Sequence, residues 1–155
     1  MKDLVLRKPF GTRDLFFIER AEGDTDEYVL SYIDEQLGIK LSIKEGGDTD
    51  GGSIPSLLKG AFDPLLDKTA HGFIFHDELW RHRYVYQDLF AAHGITFTQT
   101  NRIMKEIHDQ AGCGWFARNF TRLGVRYGGY WKWTHPSDAI KEVETPTLFI
   151  EKVER

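Results

Sequence analysis

A chain of 155 residues, 41% hydrophobic and 14% aromatic, has the length of one domain and enough apolar surface for a core, which excludes a disordered segment. A net charge of −4 argues against general nucleic-acid binding, and no apolar run approaches the roughly 20 residues of a membrane helix. A single cysteine, Cys113, excludes an internal disulfide and a multi-cysteine zinc site.

The lone cysteine fits a reducing compartment, and a virion protein made in a bacterial cytoplasm has the same signature. Met1-Lys2-Asp3-Leu4-Val5 is not followed by the apolar region of a signal peptide, so no Sec-type route is expected. Charge is unevenly spread. Residues 1–50 carry 7 basic and 12 acidic side chains, whereas residues 102–132 carry 6 basic and 2 acidic. Such asymmetry marks either an electrostatic footprint or two solvated faces.

In chain order, residues 1–48 read as β-structure. Arg13 to Arg20 holds a short apolar run that stops at the turn cluster Ala21-Glu22-Gly23-Asp24. Tyr28 to Ile33 is rich in β-branched and aromatic residues, although Tyr28 to Leu37 also admits a helix. Ile39-Lys40-Leu41-Ser42-Ile43-Lys44 alternates with period two, which predicts a half-buried strand with Ile39, Leu41 and Ile43 inward. Three such runs joined by short turns predict an antiparallel meander.

The segment 46–55 breaks all periodicity, with four glycines among its ten residues. Glycine permits φ > 0 and close backbone approach, and Asp50-Gly51 favours an Asx-type turn. Pro55 suits a first helical position, which leaves Ser53 in the loop. From Asp67, a candidate N-cap, a helix is predicted through Trp80, with His76, Leu79, Trp80 and Arg83 on one face. Thr98 is a candidate cap for the next helix, whose stripe is Ile103, Ile107 and Ala111; Gly112 and Gly114 end it. Trp115 to Tyr127 is amphipathic, and Pro146 to Val153 reads as a last strand able to join the N-terminal sheet. The prediction is one α+β domain over 1–155. It is β-rich over 1–48, has a glycine loop over 46–55, is helical over 55–130, and ends in a strand and tail over 131–155.

The chemistry-bearing residues are Asp50, Ser53, His76 and Asp77, with Asn101, His82 and His108 nearby in the pattern. Zinc-helix, Walker-loop and nucleophile-elbow motifs are absent. The spacings His71 to His76 and His76 to His82 do not stack imidazoles on one helical face, so a three-histidine zinc site is not expected. A His-Asp pair beside a loop carboxylate suits two chemistries. One is a histidine general base oriented by a carboxylate, with catalytic candidates His76, Asp77, Asp50 and Ser53. The other is a divalent cation, Ca²⁺ or Mg²⁺, held by Asp50 and Asp77. A third reading is purely structural: the same groups bind one another and backbone amides, and fasten the glycine loop to the helix.

Thr49-Asp50-Gly51-Gly52-Ser53-Ile54-Pro55 followed by His76-Asp77-Glu78-Leu79-Trp80 resembles a phage and prophage domain family of unknown function. That family carries T-D-G-A-S-I-P, then H-D-x-L-Y, then an A-D pair on a later helix. The likeness runs from about Ile39 to Trp133. Gly52 stands where Ala is usual and Trp80 where Tyr is usual. Thr100-Asn101 stands at the A-D pair, a departure that weakens any base or metal role at that position. The resemblance implies viral origin and a shared cluster of Asp50, Ser53, His76 and Asp77.

Asp50-Gly51-Gly52-Ser53 and His76-Asp77 bear a thinner likeness to bacterial phospholipases A2, in which a D-G-C-S-x-x-P segment precedes a His-Asp pair whose histidine is the general base and whose aspartate helps hold Ca²⁺. Their surrounding cysteines are missing here.

Two function classes follow. The first is a virion-associated structural or assembly component, made in the host cytoplasm. Its partners would be other phage structural proteins or a second copy, and Trp115, Tyr130, Trp131 and Trp133 are its interface candidates. The second is a small His-Asp hydrolase acting on envelope lipid or cell wall, assisted by Ca²⁺ or Mg²⁺.

Overall fold

Among the described residues, the period-two run at 39–43 is the central strand of one of two three-stranded sheets. The computed structural model describes residues 5–7, 16–49, 70–115, 119, 133 and 146–153. Its elements are β1 (Val5–Arg7), β2 (Phe16–Glu19), β3 (Leu30–Asp34), β4 (Ile39–Ile43), β5 (Asp48–Thr49), α1 (Ala70–His82), α2 (Gln87–His93), α3 (Phe97–Gln110) and β6 (Leu148–Lys152). This is the expected α+β architecture, with the C-terminal strand added to the N-terminal β-structure.

Ile39, Leu41 and Ile43 are all fully buried, as alternation requires. β4 lies between β3 and β6, antiparallel to both, with Leu30 opposite Ile43 and Leu148 opposite Ile43 on its other edge. Ser42 is buried as well, and its hydroxyl lies 3.2 Å from that of Ser31 on the neighbouring strand. The stretch Tyr28 to Leu37 contains strand β3, not a helix. Tyr32 and Leu30 bury the inward side of that strand, so period two prevails over the helical reading.

The three N-terminal runs do not form one continuous meander. β2 belongs to a second sheet of order β1-β2-β5. The reason lies in the turn after β4. Ile18 N–H donates to the Gly47 carbonyl at 2.8 Å and Gly46 N–H donates to the Ile18 carbonyl at 2.9 Å, so the returning chain occupies the edge of β2. A Cβ on Gly47 would lie 3.0 Å from Glu78 Oε1, Ile18 Cδ1 and Ile43 Cγ2. Glycine there lets the backbone pass close to α1.

Eleven of the thirteen residues of α1 are buried. The sequence pattern predicts a stripe; the helix is instead enclosed, with α3 on one side and strands β5 and β6 on others. A helix buried all round must satisfy its polar side chains internally, and that requirement creates the polar clusters described below. Asp67, the expected cap, lies outside the described residues.

α1 and α3 meet at Gly72, where a Cβ would sit 2.3 Å from His108 Nε2. The His108 ring is 1% exposed and packs edge-on to Phe73 with centroids 5.3 Å apart, so it has nowhere to retreat. Gly72→Ala is therefore expected to cost about 1–3 kcal/mol from overpacking, even though Ala gains about 1 kcal/mol over Gly in helix propensity. Thermal denaturation checks this; a higher Tm for the variant would overturn it.

The cap of α3 is Thr96, not Thr98: its backbone is extended and its hydroxyl accepts from Gln99 N–H at 3.3 Å. Thr96-Phe97-Thr98-Gln99 is the capping-box spacing, and Thr98 falls inside the first turn, where its hydroxyl cannot serve. Ile103 and Ile107 form the buried stripe as expected, while Ala111 is the C-terminal cap residue. Among the described residues no helix is long and apolar enough to cross a membrane.

Candidate functional site

β5 and α1 bring together parts of the two sequence motifs. Thr49, the first residue of Thr49-Asp50-Gly51-Gly52-Ser53-Ile54-Pro55, pairs with Phe16 in the small sheet and is fully buried. Its hydroxyl donates to Asp77 Oδ2 at 2.5 Å. The other carboxylate oxygen of Asp77 lies 3.5 Å from His76 Nδ1. His76 Nε2 in turn lies 3.2 Å from Oδ1 of Asn101 on α3. A continuous polar chain thus runs Thr49–Asp77–His76–Asn101 across β5, α1 and α3.

His76 is 6% exposed and Asp77 9%. Adjacent helical positions point about 100° apart, which is why Asp77 reaches the strand while His76 reaches the neighbouring helix. Asn101 is thus a contact to the motif histidine. An amide keeps that contact without adding a second carboxylate.

The His76 ring also stands 5.5 Å from Trp80, which leads into an aromatic group. Trp80 packs edge-on to Trp133 at 5.5 Å and to Phe97 at 6.2 Å, and the Arg83 guanidinium lies 4.7 Å from the Trp133 ring and 5.2 Å from Trp80. Arg83 also donates to the Trp80 carbonyl at 2.6 Å and the Trp133 carbonyl at 3.3 Å. Trp133, an interface candidate, is therefore engaged inside the fold. Trp115 is 63% exposed. Asp50, Ser53, Tyr130 and Trp131 lie outside the described residues.

Two further polar clusters escape a reading of the sequence. Glu78, the residue after Asp77, is fully buried and accepts from the Thr147 hydroxyl at 2.7 Å. His82, one turn later, has Nδ1 2.8 Å from the Glu78 carbonyl and Nε2 3.3 Å from Thr147 Oγ1. Burial pushes the Glu78 carboxyl up to about 7, opposed by the Thr147 hydrogen bond and assisted by the charge of Asp77. Burial lowers the His82 imidazole, against the Glu78 carbonyl that favours its protonated form. The i, i+4 spacing of Glu78 and His82 is a usable signal; the role of Thr147 has none.

The second cluster joins β3 to α3. Asp34, fully buried, takes the Leu37 N–H at 2.9 Å and Arg102 Nη2 at 2.5 Å. Arg102 also reaches Glu106 Oε1 at 2.8 Å and Gln99 Oε1 at 2.6 Å, and Tyr32 donates to Glu106 Oε2 at 2.7 Å. Burial pushes the Tyr32 hydroxyl well above its ordinary range, with the Glu106 carboxylate adding to it.

Among the described residues, no group of three His, Cys, Asp or Glu side chains is placed to hold a metal ion. The pair best suited to bind or orient a ligand atom is His76–Asp77, whose polar atoms are directed at Thr49 and Asn101. No family model, curated protein or solved structure matches the chain.

Proposed function

We propose that this is a bacteriophage-encoded, virion-associated structural or assembly protein in which the Thr49–Asp77–His76–Asn101 chain is a structural clasp. The observation that carries the clasp is the 2.5 Å bond from Thr49 to Asp77, which ties the start of the glycine-loop motif to the His-Asp motif. Burial supports it: a catalytic imidazole needs a free nitrogen facing substrate, and both His76 nitrogens face protein groups. Viral origin rests on the paired motifs themselves. The exposed Trp115 offers an aromatic anchor for other phage structural proteins or a second copy. The protein would be made in the host cytoplasm and carried in the particle.

The hydrolase reading keeps one observation in its favour, the approach of Asp77 Oδ1 to His76 Nδ1, which is how a carboxylate orients a general base. Thr49→Val separates the two. Its shape is close to that of Thr, but the hydroxyl donor is gone. The clasp loses about 1.5–3 kcal/mol, the range for a hydrogen bond to a charged group, and the Tm of the parent protein is the same in EDTA, Ca²⁺ or Mg²⁺. A cation-assisted hydrolase gains Tm with the ion by linkage. An undiminished Tm for Thr49→Val, or a cation-dependent Tm for the parent, overturns the clasp. For the assembly role, mass spectrometry of purified particles of the encoding phage should detect the protein. Its presence only in infected cells, never in particles, sinks that part of the proposal.

A further inference from the structure

We draw no further inference here: the strongest candidate, the open cleft of about 490 Å³ that runs along residues 26–32 beside β3, the outer strand of its sheet among the described residues, and is backed by Phe75 of α1 and Ile107 of α3, has nothing in the structure to show what covers it.

Discussion

Arg102→Ala is expected to lower the unfolding free energy by about 3–5 kcal/mol, the cost of leaving a buried charge without its partner. Asp34 has no exposed surface, and its second oxygen depends on Arg102 Nη2. Its first oxygen is committed to the Leu37 amide in the β3–β4 turn, so the carboxylate cannot turn to water. Loss of the guanidinium also releases Glu106 and Gln99, which it holds on α3. The effect belongs to the pair. Asp34→Asn combined with Arg102→Ala removes both charges and should cost clearly less than the two single losses added together. Urea denaturation of the four proteins checks this. A loss under about 1 kcal/mol for Arg102→Ala would reduce the contact to an ordinary surface ion pair.

Stability should also fall as pH rises from the ordinary carboxylate value of 4.5 through about 7, because of Glu78. Its folded form keeps a proton that the unfolded chain has already released in that window. The native state therefore binds more protons, and the slope of unfolding free energy against pH is negative. The stabilisation is fully present below 4.5 and lost above about 7. Its size is about 3 kcal/mol, since a tenfold change in proton affinity is worth about 1.36 kcal/mol. His82 acts in the opposite sense. Its pKa is lowered by folding, so its contribution is present above the ordinary value of 6.5 and lost as pH falls below it.

The Glu78→Gln variant isolates the carboxyl. Relative to the parent it should gain about 2–3 kcal/mol between pH 5 and pH 8, because His82 titrates in both proteins. A constant difference between the two across that range would show that Glu78 is ionised in the fold at all these pH values.

Local pattern makes some of this visible in the sequence. Ile39, Leu41 and Ile43 are readable because one buried face of a strand imposes period two, and Ile103 and Ile107 because one buried face of a helix imposes i, i+4. The α1 helix is readable as a helix but not as an enclosed one, since a helix buried all round gives no clear polar face. His76 is expected on the face it shares with Leu79 and Trp80, whereas the burial of Asp77, Glu78 and His82 as core residues has no such signal in the sequence. Strand partnership is not legible either: β2 pairs with β5 because of where the chain returns after β4, and no residue of β2 encodes that choice.

The candidate site divides the same way. His76 and Asp77 stand out as an adjacent pair, and the glycine motif leads to Thr49's neighbourhood. The Asn101 contact joins residues 25 apart on two helices, a pairing that local spacing does not encode. Asp34 with Arg102 and Glu78 with Thr147 lie far apart along the chain, where spacing carries no information.

The position of β6 has a consequence for how the molecule comes together. Ile43 pairs on one side with Leu30, a near neighbour along the chain, and on the other with Leu148. The hairpin of β3 and β4 closes a short loop, whereas docking β6 closes one of about a hundred residues, a non-local step that comes with slow folding. Until that step the outer edge of β4 is an open template for any other strand, and Glu78 lacks the Thr147 hydroxyl beside it. Arrival of β6 therefore closes that edge of β4 and brings Thr147 to Glu78 in a single event.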